Sequence, residues 1–483
     1  MDYYFSFELQ AESVFINHSR RESVDWDMRP VVGSRVLTGI ISRSMRTFLR
    51  LLSIALIPFL AGEPASAQQA LSETEQEIVR HVDANSHLAL DLLERSVNIN
   101  SGSLNFEGVR EVGRLFDAVF SELGFESRWE PGEAFGRAGH LISTRAGNGP
   151  HILMIGHLDT VFEQDSSFQK YESLSDSTAR GPGVTDMKGG NVIIVESIRA
   201  LADAGVLDEM TVTVVLIGDE ESSGRPLDTA RQALRQAADA ADYAIAFESG
   251  DDKPTTAVVA RRGFTVWRLD VQAKPAHSSI IFKDEIGFGA IYEAARILNQ
   301  FQEELVGEQY LTFSPGLILG GTSVDFDESE SRGTAFGKTN VIAEHTVVTG
   351  DLRTISPEQR EAAKEKMRAI VAQTLPHALA NIEFADSYPP MAPTEGNYRL
   401  LEMLSKVSQD LGFGPMTAVD PGAAGAADIS FTTGLVEMAL DGLGMMGDGS
   451  HTVDETADLR WLPAQTKRAA VLMYRLTEIE GMD

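Results

Sequence analysis

Residues 151–160 read HILMIGHLDT and residues 211–221 read TVTVVLIGDEE. Each is a short, almost wholly apolar run that stops at a glycine and then turns to histidine and carboxylates. Runs of this length with no polar face suit strands buried on both sides. A third and shorter run, Ala244–Phe247, ends directly at Glu248. Working outward, helical periodicity covers 72–98, 105–124, 189–204 and 231–241. Strands that alternate with helices build an α/β fold, a mostly parallel sheet flanked by helices.

The pattern changes between residues 262 and 389. Phe264–Val271 alternates as a half-exposed strand, 285–305 is helical, and Tyr310–Leu319 and Val341–Leu352 are strands. Pro357–Leu375 then reads as a helix and Ile382–Ser387 as a strand. That order, βαββαβ, is the ferredoxin-like α+β pattern. Helical periodicity resumes at Asn397–Leu411. The expected organisation is one α/β domain over 68–261 and 390–483, with an α+β domain, 262–389, inserted in it.

The chain has 483 residues, of which 71 are Asp or Glu and 41 are Lys or Arg, a formal net charge of −30. So acidic a chain has no general attraction for a phosphate backbone or an anionic lipid surface. With no cysteine, disulfides, thiolate nucleophiles and cysteine-held metals are excluded. Any metal must be held by histidine and carboxylates.

Residues 1–67 are expected to be a leader outside the fold. Arg46 and Arg50 precede an apolar run, Leu51 to Ala61, and Ala65-Ser66-Ala67 forms a small-residue cleavage site. This is the pattern of an export signal over about 46–67, too short to span a bilayer. An internal buried helix is the other reading. Met45 stands immediately before it, so translation is expected to start there, and the processed chain would be periplasmic or secreted.

Five groups of chemically competent residues fall where strands or loops end. His157 and Asp159 lie two apart and share a strand face, as a metal ligand with its orienting carboxylate or as a structural pair. Asp186 lies in GVTDMKGG, residues 183–190, whose glycines permit close approach to a ligand, though a helix cap would explain it too. Asp219, Glu220 and Glu221 follow a buried strand directly, where three carboxylates repel unless a cation or solvent neutralises them. Glu248 follows another strand, and His451 sits in a glycine-rich loop. Ligands of open α/β sheets bind outside the carboxyl ends of the strands, so the coincidence says more than any single motif. Two histidines with several carboxylates suit two zinc ions about 3.5–4 Å apart.

In order along the chain, HLDT, GPGVTDMKGG, IGDEE, FESG, GGT, TNVI, GDLR and GSHT closely resemble the co-catalytic di-zinc metallopeptidase and deacylase family. That family contains bacterial glutamate carboxypeptidase, acetylornithine deacetylase and succinyl-diaminopimelate desuccinylase. The resemblance runs from about residue 80 to 475. It implies that Asp186 bridges two zincs, that His157 and Glu248 complete one site, and that Glu221 and His451 complete the other. It makes Glu220 the general base, has Asp159 orient His157, and implies a cis peptide after Asp186.

The inserted domain would be the family's lid. His277 would stabilise the oxyanion, often across a dimer interface, while Asn340 and Arg353 would grip the substrate's free carboxylate. Gly320-Gly321-Thr322 would shape the lid near the substrate. The implied activity is hydrolysis of an amide or peptide bond beside a free carboxylate, glutamate carboxypeptidase-like. An N-acyl-amino-acid deacylase or dipeptidase of the same family is the alternative. The implied substrate is a small peptide or N-acyl amino acid, with no nucleic acid, no membrane after signal cleavage, and a homodimer through the lid. The chain departs from the family at Ser249-Gly250, at Met445-Met446 and in the acidic stretch Asp327–Arg332. These departures bear on the substrate pocket and remove no implied ligand, and a non-catalytic scaffold would be expected to have lost one.

Overall fold

The computed structural model describes residues 71–328 and 331–479. The leader expected over residues 1–67 lies outside the described residues. Numbered in chain order, the strands of the two principal sheets are β1 (Glu126–Pro131), β2 (Gly139–Arg145), β3 (His151–His157), β4 (Thr211–Ile217), β5 (Tyr243–Ala246), β6 (Gly263–Ala273), β7 (Thr312–Gly321), β8 (His345–Thr354), β9 (Ala378–Asp386) and β10 (Met438–Leu440).

The larger sheet has the order β1-β2-β4-β3-β5-β10. β3 lies at its centre, parallel to β4 and β5, and β10 adds parallel to β5. β1 and β2 extend the other edge as an antiparallel pair. Successive side chains of a strand face opposite ways. Ile152, Met154, Val212 and Val214 therefore enter one core, with helices Glu73–Val97, Lys188–Asp203 and Trp461–Thr477. Leu153, Ile155, Val215 and Ile217 enter the other, against Leu234, Ile429 and Phe431. Both faces are covered, which is why these runs carry no polar face. Register pairs His157 with Ile217, so β3 and β4 end level and their loops emerge side by side.

The smaller sheet, β7-β8-β6-β9, is antiparallel throughout. Its strands and the helices Ala290–Leu305 and Pro357–Val371 enclose a separate core of Trp267, Leu269, Val271, Ile297, Phe301, Val348, Leu352 and Met367. All four strands lie between β5 and β10 in the chain. Two connecting segments run antiparallel at its root, with Arg261 paired to Met391 and Phe264 N–H donating to Tyr388 O at 2.9 Å. After β7, Ser323–Asp327 and Arg332–Phe336 pair as antiparallel strands. The helix expected over 231–241 is found as Gln232–Asp239, preceded by a separate helical turn, Leu227–Ala230; Arg231, between the two, turns its side chain into a buried network described below. Among the described residues no helix is long and apolar enough to cross a membrane.

Candidate active site

Each strand end delivers a functional group to one place. His157 is the last residue of β3, Asp219–Glu221 follow β4, and Glu248 follows β5. Asp186 precedes the helix Lys188–Asp203, and His451 lies just before a short strand, Thr456–Asp458. Two three-residue groups result, His157–Asp186–Glu248 and Asp186–Glu221–His451, each with ligand atoms within 4.8 Å of one another.

Asp186 is common to both. Its Oδ1 lies 3.0 Å from His157 Nε2 and its Oδ2 lies 3.0 Å from His451 Nε2. Glu248 Oε1 is 3.4 Å from His157 Nε2, and Glu221 Oε2 is 3.1 Å from His451 Nε2. One carboxylate thus presents one oxygen to each histidine–glutamate pair, the arrangement of a bridging ligand.

Polar neighbours aim these groups. His157 Nδ1 donates to the backbone oxygen of Asp159 at 3.0 Å, so in the neutral ring a metal-binding lone pair would lie on Nε2, toward Asp186. The Asp159 carboxylate does something the sequence did not suggest. Fully buried, it accepts from Glu220 N at 3.0 Å, Glu221 N at 3.1 Å and Ser103 Oγ at 2.6 Å. It thereby holds the loop that carries Glu220. Asp441 Oδ1 accepts from Glu248 N at 3.2 Å and its Oδ2 from Arg261 Nε at 2.8 Å. Gly190 and Gly444 both press on the carbonyl of Phe247, where an added Cβ would lie 2.2 and 2.1 Å from the oxygen. The peptide bond Asp186–Met187 is cis, and His451 sits in the left-handed region at φ 64°.

Sequence reading missed Glu455 and Lys188. Glu455 is fully buried and accepts four bonds: Oε2 from Gly183 N at 2.9 Å, and Oε1 from Thr185 N at 2.9 Å, Thr185 Oγ1 at 2.8 Å and Asp186 N at 3.2 Å. It joins the loop of Asp186 to that of His451. Lys188, also fully buried, donates to Ile99 O at 2.8 Å, and burial pulls its amine down to about 7.

Electrostatically the site is short of positive charge. Burial, followed by Asp186, pushes Glu248 up to about 8. Burial also raises Glu220 well above the ordinary range and raises Glu221, despite opposing histidines. Burial works against charge on His157, but Glu248, Asp159 and Asp186 outweigh it and raise its pKa well above the usual value. Hydrogen bonds to Asp186 and Glu221 lift His451 to about 11. Among the described residues Glu221 Oε1 is buried with no hydrogen-bond partner, an expensive condition for a carboxylate oxygen. Imidazole and carboxylate donors crowded in this way fit a pair of divalent cations.

The remaining sequence-predicted residues belong to the smaller sheet's unit. His277 and Asn340 are exposed and brought together, with Ser278 N donating to Asn340 O at 2.9 Å. Ser279 N donates to His277 Nδ1 at 3.2 Å, so in the neutral ring Nε2 carries the proton and is the donor nitrogen. Arg353, on β8, lies over the Phe264 ring at 4.5 Å, and among the described residues its Nε bonds Asp351 Oδ2 at 3.0 Å.

Residues 153–475 match the family model described as peptidase family M20/M25/M40. The chain is 24% identical over 390 residues to carboxypeptidase G2 of Pseudomonas sp. (strain RS-16), covering 80% of this chain and 88% of that protein. Among solved structures it is similar to the aminopeptidase PepT of Bacillus cereus, with a TM-score of 0.66 and 21% identity over 82% of this chain and 99% of that one. It is also similar to the YXEP protein of Bacillus subtilis, described as a dinuclear metal-binding peptidase, with a TM-score of 0.58 and 17% identity over 82% of this chain and 100% of that one.

Proposed function

Because the chain belongs to peptidase family M20/M25/M40 and is a metallopeptidase of that family, we propose that it is a di-zinc carboxypeptidase. It would cleave an amide or peptide bond beside a free carboxylate, releasing a C-terminal amino acid such as glutamate. The observation that carries the metal-centre reading is the shared Asp186, with one oxygen 3.0 Å from each histidine. Relatedness to carboxypeptidase G2 supports the choice of substrate class.

His157, Asp186 and Glu248 would hold one zinc, and Asp186, Glu221 and His451 the other. Together the ions would supply Lewis acidity, lowering the pKa of water and polarising the scissile carbonyl. Glu220, half-buried beside both groups, would take the proton from the attacking water and pass it to the leaving amine nitrogen. Its buried, carboxylate-rich surroundings raise its proton affinity, which suits a group that must hold a proton and then release it. His277 would donate from Nε2 to the developing oxyanion. Asn340 and the Nη edge of Arg353 would bind the terminal carboxylate, for which a planar guanidinium fork is the matching shape.

In this reading the segment 262–389 acts as a lid and as the surface of a homodimer. The Arg46–Ala67 leader, by its sequence, would direct the chain to the periplasm or outside the cell. The test is amino-acid release by the zinc-loaded protein, with Glu220→Gln as control, from Xaa-Glu and Xaa-Ala peptides, an aroyl-glutamate, N-acetylornithine and other N-acyl amino acids. Glu220-dependent release of glutamate is expected. Activity confined to N-acyl amino acids or to dipeptides with a free amine would move the enzyme to the deacylases or dipeptidases.

A further inference from the structure

We infer that Tyr388 is a positioning residue for Glu220, acting from the root of the smaller sheet's unit on the backbone of the catalytic loop. The inference rests on the reading of Glu220 as general base. Tyr388 lies where the chain leaves β9 to rejoin the larger sheet, and its backbone oxygen pairs with Phe264 N across the two connecting segments. Its ring is buried edge-on against Phe431, with centroids 5.1 Å apart, and beneath the Arg231 guanidinium at 5.6 Å.

The hydroxyl occupies a junction. It donates to the backbone oxygen of Glu220 at 3.3 Å, receives a bond from Arg231 Nη2 at 2.7 Å, and lies 3.1 Å from Ser223 Oγ. Arg231 is itself fully buried, with Nη1 on Asp219 Oδ1 and Nε on Asp428 Oδ1, both at 2.6 Å. The residue Glu220 is therefore held from two directions. Asp159 accepts its N–H at 3.0 Å from the front, and Tyr388 donates to its C=O from behind.

The other connecting segment makes a parallel link. Arg261, paired with Met391 at the same root, reaches the backbone of Glu248 through Asp441. Each segment that ties the two sheets together thus carries one buried polar side chain linked to the backbone of a site residue, Tyr388 directly and Arg261 through Asp441. A small rotation of the Glu220 peptide is amplified along its side chain, and a misplacement of about 1 Å at a reacting group costs roughly a hundredfold in rate. Loss of one of two backbone anchors is expected to cost less.

Tyr388→Phe isolates the hydroxyl. The ring keeps its place against Phe431, and Arg231 Nη2 retains Asp219 O at 3.2 Å and Ser223 Oγ at 3.3 Å as acceptors. No buried donor is stranded, so the variant is expected to fold with its unfolding midpoint and bound zinc close to the parent's. Its kcat is expected to fall about tenfold with KM changed by less than about twofold. In the Glu220→Gln background the same change should alter residual turnover by less than about twofold, because a residue acting through Glu220 has nothing left to position. Should Tyr388→Phe fold poorly, Phe431→Leu, which removes the ring that Tyr388 leans on, is compared in the same two backgrounds with the same expectation.

A Tyr388→Phe enzyme with the parent's kcat, beside a disabled Glu220→Gln, overturns this inference alone. Equal losses in both backgrounds also overturn it, since a general structural effect is blind to Glu220. A fully active Glu220→Gln overturns the base reading and the inference with it.

Discussion

Replacing Glu455 by Gln alters one buried group and leaves its volume unchanged. The carboxylate accepts from Gly183 N, Thr185 N, Thr185 Oγ1 and Asp186 N, and an amide has one accepting oxygen. With that oxygen in the Oε1 place, its NH2 faces the Gly183 N–H, so one acceptor is lost and two donors oppose each other. A hydrogen bond to a charged group is worth about 1.5–3 kcal/mol, and a stranded buried donor costs about 1–3 kcal/mol. Roughly 3 kcal/mol is the resulting cost, or about two decades in an equilibrium constant. The bonds that suffer hold the loop of Asp186, while Glu455 itself lies four residues beyond His451, so the cost falls on metal binding. Glu455→Gln should weaken zinc binding by up to about a hundredfold. For roughly 400 ordered residues, about 0.8 kcal/mol per degree, the unfolding midpoint should fall by about 4 °C. Competition against a chelating dye gives the affinity, and a thermal melt gives the midpoint. Affinity within about threefold of the parent's and an unmoved midpoint would refute the clamp.

Glu220→Gln should lower kcat by about 10²–10⁴-fold while both zincs remain bound; a smaller loss at full metal content would assign the base elsewhere. Arg353→Ala should raise KM by roughly 30- to 100-fold on substrates with a free C-terminal carboxylate and leave their amidated counterparts unaffected. Equal effects on both would dismiss the carboxylate role. His140 is buried and neutral, with Nε2 donating to Ala230 O at 2.7 Å and Nδ1 accepting from Gly218 N at 3.1 Å, and burial lowers its pKa from 6.5. The unfolded chain then binds the extra proton first, so this residue's contribution is complete above pH 6.5 and declines as pH falls, by up to about 1.4 kcal/mol per pH unit. His140→Gln should flatten the acid limb of stability against pH; parallel curves for parent and variant would refute the assignment.

β3 and β4 were legible to the residue because both faces of the parallel sheet are covered, which forces unbroken apolar runs ending where the sheet ends. The same geometry made His157, Glu220, Glu221 and Glu248 readable as strand-end groups. β1 and β2 were not legible: β1 is at most half-buried along its length and carries no two-sided apolar run. The strand pair Ser323–Asp327 with Arg332–Phe336 is exposed at most positions, so burial left no periodic mark on it. Glu455 is one carboxylate among 71 acidic residues, and only its position against Gly183–Asp186 distinguishes it. Tyr388 and Glu220 are 168 residues apart, a pairing that no local pattern announces. The role of Arg231 was hidden for a related reason, since it stands at the start of a helical pattern but is spent on Asp219, Asp428 and Tyr388.

The central claim is that Asp186 joins two metal sites, and zinc-edge anomalous diffraction from zinc-loaded crystals of the protein tests it most directly. The account predicts two peaks per chain about 3.5–4 Å apart, one beside His157 and Glu248, the other beside Glu221 and His451, with an Asp186 oxygen on each. A single peak at full zinc loading, or a pair not spanned by Asp186, would contradict it.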